Sequence, residues 1–265
     1  MAALDTPRLQ HLGTIHNHAH YRLASGEQLL VWTPADATGP LPLLIYLHGA
    51  SSRGDDVLQI FDKGPDCPPG LLRANQLAPS AVVVSPLLAS KREWCRTAKE
   101  AATTLATLDA YFAEATRGVL PTIDRRRVYL TGPSCGGLGA YTLAVRLARR
   151  GATDRDHCPP VAAVVPVCGG GNVVFAPLLA STPCWFWHAE SDSAVPCADT
   201  VALVAALEKL DAPVRFTKLS DAETPPSPAY VAYMTHHNAW APAYRPGSPL
   251  WPWLWAQALP QYDLC

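Results

Sequence analysis

The chain has 265 residues, 49% of them hydrophobic and only 16% charged, which supplies enough apolar surface for a large core and excludes a disordered composition. A formal net charge of -1, with no cluster of Lys and Arg among aromatics, argues against nucleic acid or an anionic membrane surface as partner. The length suits one α/β domain over residues 1–265.

Met1 to Gln10 carries Asp5 and Arg8 among small residues and lacks the apolar stretch of a signal peptide. No later run reaches membrane-spanning length, so a cytoplasmic protein without a membrane span is expected. The segment to about Thr33 predicts two antiparallel edge strands. Within it His16, His18 and His20 alternate. They could share a strand face as metal ligands, but an exposed polar face explains the spacing more simply, and no metal is expected.

Further along, apolar and β-branched runs at Leu43 to Leu47, Ala81 to Ser85, Arg127 to Thr131, Val161 to Val167, Cys184 to Trp187 and Val214 to Leu219 predict buried parallel strands. Helical periodicity lies between them, at Ala98 to Thr116, Gly137 to Arg150 and Asp199 to Leu210. The alternation implies a doubly wound sheet with right-handed crossovers. Most prolines fall between these segments, as surface turns require. Pro252, inside an apolar stretch, is tolerated only in a first helical turn and so starts the last helix near Trp251. The cysteines Cys67, Cys95, Cys135, Cys158, Cys168, Cys184, Cys197 and Cys265 form no C-x-x-C pair, so free thiols are expected rather than zinc or disulfides.

Gly132-Pro133-Ser134-Cys135-Gly136 fits G-x-S-x-G and stands between a predicted strand and a predicted helix. A serine there sits on a sharp turn that needs small neighbours two residues to either side, and Gly132 and Gly136 meet that need. The helix start behind it offers the Cys135 N–H to a developing oxyanion. A Gly-rich turn with an incidental serine is the plain alternative. Cys135 is a poor rival nucleophile, since the residue after the apex turns toward packing. The run Leu43 to Leu47 leads into His48-Gly49-Ala50, where Ala50 N–H is the second oxyanion candidate, Gly49 permits close approach of backbone to substrate, and Ser51 continues the cleft rim. His48 precedes the serine and reads as a buttress for the loop rather than as the base.

The acid and base should follow the serine in that order. After Cys184 to Trp187 comes a loop with Glu190 and Asp192; Asp192 is preferred because Glu190 lies nearer the strand end. The histidines downstream are His236 and His237, and the base is one of the two. Trp240 packs beside the cleft or in the core.

Together these motifs resemble the lidless α/β-hydrolase esterases, the predicted-peptidase or phospholipase/carboxylesterase-like group that is kin to polyhydroxybutyrate depolymerase-like and feruloyl esterases. The resemblance rests on Pro42 to Ala50 with Arg53-Gly54-Asp55-Asp56, on Val83 to Pro86, on Arg127 to Ser134, on Val165 to Gly171, on His188 to Pro196, and on His237 to Trp240 with Ala243-Tyr244. Cys135 and Ala189 depart mildly from the group's usual Met and Gly. The resemblance implies an α/β-hydrolase fold, Ser134 as nucleophile, no metal or organic cofactor, and a small-molecule ester as substrate. Its usual spacings, a base three residues before a tryptophan and an acid four residues after the strand-end histidine, select His237 and Asp192. The short stretch from Gly171 to Pro183 leaves no room for a cap, so an open, shallow cleft is expected, with Gly49, Ser51, Trp94 and Trp240 toward substrate and Trp185 and Trp187 as further wall candidates, although core packing explains most of these tryptophans equally well. Glu223 to Met234, rich in proline, departs from the pattern and would reshape the pocket. The expected reaction is ester cleavage through an acyl-enzyme. Peptidase or thioesterase chemistry on the same triad, or a binding protein with vestigial activity, are the alternatives.

Overall fold

A computed structural model of the chain describes residues 8–151 and 154–261; the N-terminal segment through residue 7 and the thiol of Cys265 lie outside the described residues. In chain order the elements are β1 (Leu9–Ile15), β2 (His18–Leu23), β3 (Gln28–Trp32), β4 (Leu41–Tyr46), α1 (Gln59–Asp62), α2 (Pro68–Arg73), β5 (Val82–Pro86), α3 (Ala98–Thr116), β6 (Ile123–Pro133), α4 (Cys135–Arg150), β7 (Ala163–Val167), β8 (Cys184–Ala189), α5 (Cys197–Glu208), β9 (Val214–Leu219), α6 (Trp240–Tyr244) and α7 (Leu250–Trp255).

The strands join one sheet in the order β1-β2-β3-β5-β4-β6-β7-β8-β9. From β5 to β9 all neighbours are parallel, while β1, β2 and β3 add antiparallel strands at one edge. Helices cover both faces, which is why the central strands are apolar on both sides: all of β4 is buried. Leu43 and Ile45 point into a core shared with α3, α4 and α5, whereas Leu44 and Tyr46 point into a second core with α1, α2, α6 and α7. Helix α3 starts at a capping box in which the Thr97 hydroxyl accepts from Glu100 N–H and the Glu100 carboxylate accepts from Thr97 N–H. Pro252 falls in the first turn of α7, where the missing N–H has no partner to lose.

Two expectations change. The N-terminal segment forms three strands rather than two, because turns at His16 (φ 52°) and Gly26 (φ 102°) break it twice and the apolar run Leu29-Leu30-Val31 pairs with β5. Nor do the alternating histidines make an exposed polar face. His16 is in the turn, His20 meets the Gln28 side-chain oxygen at 2.8 Å, and His18 is fully buried, edge-on to Phe61 with ring centroids 4.9 Å apart. The seven described cysteines are buried free thiols. No described helix is long and apolar enough to cross a membrane.

Candidate active site

The loops that leave the carboxyl ends of the parallel strands converge, which is where open α/β sheets place their ligands. At the end of β6 the chain turns into α4 through Ser134, whose φ of 56° and ψ of -123° lie in a region costing a non-glycine residue about 1–3 kcal/mol. The turn is held by the Ser134 N–H, which donates to the Val167 carbonyl at 2.8 Å. The flanking glycines are a steric requirement: a Cβ on Gly132 would stand 2.2 Å from the Leu47 carbonyl oxygen, and one on Gly136 only 1.8 Å from it. The end of β4 is thus pressed directly onto the elbow.

Asp192 and His237 reach Ser134 from two other loops. His237 Nε2 lies 2.9 Å from Ser134 Oγ, and His237 Nδ1 lies 2.7 Å from Asp192 Oδ2. With Oδ2 as acceptor, the imidazole proton belongs on Nδ1, leaving Nε2 free to accept from the serine. Asp192 Oδ1 accepts from the N–H groups of Ala194 (2.8 Å) and Val195 (3.0 Å). Burial acts to raise the Asp192 pKa, but hydrogen bonds from His188, His237 and the Val195 N–H outweigh it and hold the carboxyl well below the usual carboxylate range. The loops that carry Asp192 and His237 are laced together by Ser193 N–H to the Thr235 carbonyl, 3.1 Å, and Asn238 is tied to the Pro226 carbonyl at 2.9 Å. His236 adopts φ 55° and faces Asp221 at the surface, 3.6 Å away, while His237 turns inward. Glu190 pairs with Lys218, 3.3 Å away at the surface.

The loop after β4 is braced by His48. Its Nε2 accepts from Leu88 N–H at 3.0 Å, so Nδ1 carries the proton and donates to the Gly49 carbonyl at 2.8 Å. Desolvation, only partly opposed by that hydrogen bond, lowers the His48 pKa to about 4 and keeps the ring neutral near pH 7. Gly49 has φ -71°, so its backbone does not demand glycine; a Cβ there would reach the cleft floor, 3.9 Å from Ser134 Cβ. Ala50 opens a single 3₁₀ turn (Ala50–Ser52), a position whose N–H has no acceptor within the turn. Cys135 occupies the matching first position of α4. Its thiol is turned away, taking a hydrogen bond from Arg53 at 2.9 Å and giving one to Glu93 at 3.2 Å, and burial raises its pKa to about 11.

A cavity of about 360 Å³ opens beside Ser134 and His237. Gly49, Ala50, Ser51 and Trp240 line it, and Trp240 stands edge-on to the His237 ring at 5.5 Å. The other tryptophans do not. Trp94, expected toward substrate, is buried behind the loop after β4, donating Nε1–H to the His48 carbonyl at 2.8 Å and packing on Gly139, where a Cβ would lie 2.4 Å from the Trp94 Cβ. Trp185 and Trp187, proposed as wall residues, sit on β8 in the second core, with Trp185 edge-on to Trp253. In their place the Glu223 to Met234 segment supplies Tyr230, Val231, Tyr233 and Met234 to one wall.

The ligating atoms of Cys168, Asp192 and His237 lie within 4.8 Å of one another. They are engaged, Asp192 with His237 and the Cys168 sulfur with Ser134 N–H at 3.3 Å, so a metal there would have to dismantle the hydrogen bonds to Ser134 and His237.

Solved structures of similar fold include a thermostable esterase (TM-score 0.67, 22% identity), of which this chain spans 63% while 91% of its own length is matched. The fold is that of the α/β-hydrolases. A butyrate-bound esterase from Thermogutta terrifontis (TM-score 0.52, 11% identity, 74% of this chain and 78% of that one) and an acylaminoacyl peptidase from Pyrococcus horikoshii (0.53, 14%, 76% and 36%) share it. No family model matches the sequence, and neither does any curated protein.

Several residues at the mouth of this cleft were missed by sequence reasoning: Tyr46, Lys63, Cys67 and Pro133, whereas the Glu223 to Met234 segment was expected to reshape the pocket and supplies part of its lining. Tyr46 carried a signal, as a polar tip on a core strand. Lys63 carried none, because it follows a four-residue helix that no periodicity marks.

Proposed function

We propose that the chain is a serine hydrolase acting on carboxylic esters through an acyl-enzyme. One observation carries this reading: the continuous hydrogen-bond line from Ser134 Oγ through His237 to Asp192, 2.9 Å and 2.7 Å long, at the edge of a cavity able to hold a small ester. Ser134 Oγ attacks the ester carbonyl while His237 Nε2 takes its proton; the tetrahedral oxyanion is met by the N–H groups of Ala50 and Cys135; the imidazolium returns the proton to the departing alcohol. Water, activated by the same His237, then attacks the acyl-serine and releases the acid. Asp192 remains ionised throughout and fixes the imidazole tautomer.

The test is hydrolysis of a 4-nitrophenyl ester series, with matched thioester and amide, by wild type and Ser134→Ala, alongside labelling by a fluorophosphonate. Expected are turnover of the esters ahead of the amide, labelling of Ser134, and a loss of at least about 10³-fold in the variant. Folded wild-type protein that neither turns over any of these substrates nor takes the label would overturn the reading in favour of a binding protein.

A further inference from the structure

We propose that the cleft selects esters bearing a second, anionic group, a carboxylate on the acyl or alcohol part, and that Lys63 is the residue that reads it. The inference rests on the ester-hydrolase reading of the same site. Among the described residues lining the cavity, Lys63 is the one Lys, Arg, Asp or Glu; with His237 and Ser134, the rest of the lining is aromatic, apolar or small, with Tyr46, Tyr230, Tyr233, Met234 and Trp240 among it. Among the described residues no carboxylate lines the cavity; Asp66, exposed and outside the lining, acts on Cys67 and Tyr230 from nearby. Asp62, the chain neighbour of Lys63, is turned to Arg73 at 3.3 Å, and Asp192 is buried outside the lining.

The ammonium is also positioned. Lys63 ends α1, its own N–H bonded to the carbonyls of Gln59 and Phe61, and its Nζ stands 5.5 Å from the centroid of the Tyr230 ring. Tyr230 belongs to the segment that departs from the resemblance, so the segment that reshapes the wall also aims the cation. An ammonium offers three donors and no acceptor, which suits a carboxylate. Lys63 is exposed at the mouth of the cavity beside this aromatic wall, where its ammonium can meet an anionic group that extends outward from a bound ester.

Turnover of mono-4-nitrophenyl adipate, anionic at its far end, is compared with that of 4-nitrophenyl heptanoate, neutral and of similar length, by wild type, Lys63→Met and Lys63→Arg. Lys63→Met is expected to lower kcat/KM for the adipate ester about tenfold more than for the heptanoate ester, chiefly through KM, with Lys63→Arg retaining most of the preference. Equal losses on both esters would mean that Lys63 only builds the wall, and no change on either that it plays no part; both overturn the proposal. Calorimetric binding of the same two esters to Ser134→Ala, with and without Lys63→Met, separates the two readings. Tighter binding of the adipate ester that depends on Lys63, without wild-type turnover, would sink the hydrolase reading and keep the anion site. Turnover without any preference for the anion would do the reverse.

Discussion

Burial alone would drive the Asp192 carboxyl toward its protonated form, yet hydrogen bonds from His188, His237 and the Val195 N–H keep it ionised. Its pKa in the folded chain is below the value it has unfolded, so between the two the unfolded state binds more protons and stability rises with pH. This contribution is therefore complete above about pH 4 and is lost as the pH falls through the folded value. Asp192→Asn should lower kcat by about 10³- to 10⁴-fold by favouring the wrong imidazole tautomer. Its melting temperature should lie below that of wild type at pH 7, with the gap narrowing below about pH 4; calorimetric scans at pH 7, 4 and 3 read this directly. A gap that widens in acid would contradict the assignment.

Among the elements, the junction of β4 with the β6–α4 turn is the least forgiving. Gly136→Ala puts a methyl where the Leu47 carbonyl stands, 1.8 Å away, and backbone on both sides must move. A loss of about 3 kcal/mol or more is expected, as for severe overpacking, or failure to fold. Gly49→Ala is the control: its Cβ meets only ordinary contacts, the nearest at 3.6 Å, so urea denaturation should place its stability within about 1 kcal/mol of wild type. The methyl intrudes on the cleft floor beside Ser134, so kcat/KM should fall while stability holds. Two glycines in neighbouring loops thus separate a folding requirement from a site requirement.

For the molecule as a whole, acid sensitivity follows from histidines buried without charge. Desolvation first, then the nearby His16 and Arg73, lower the His18 pKa to about 4 from 6.5, and neither ring nitrogen has a hydrogen-bond partner among the described residues. His48 is lowered to about the same value. For a histidine depressed in this way the unfolded chain takes up the proton first, so stability is full above pH 6.5 and is lost as the pH falls toward 4, by about 2 kcal/mol per histidine at pH 5. His18→Leu removes one of the two groups and keeps the contact with Phe61. Its melting temperature should fall less than that of wild type between pH 7.5 and pH 5, with the contribution of His48 still present. Parallel curves for the two proteins would remove His18 from the account.

The sequence by itself determined the parts with a local signature. The alternation of apolar runs and helical periods announced the sheet with helices on both faces, because burial on both sides leaves strands continuously apolar. The elbow was legible for a related reason: a serine between strand and helix needs Gly132 and Gly136, and a sequence displays its glycines. Asp192 could be chosen by its place on a loop, but the choice between His236 and His237 needed the spacing of a resembling group. Tertiary structure decided what depends on groups far apart in the chain. The two rings part only in three dimensions, one 2.9 Å from Ser134 and the other at the surface facing Asp221, which supports the proposed choice. Trp94 and Trp185 are as apolar in the sequence as Trp240, and only the packing around each ring sets two of them in the core and the third beside the cleft. Lys63 and Tyr230 lie 167 positions apart by their numbering and meet only once the chain has wrapped both cores, since a contact between distant segments leaves no periodicity in either.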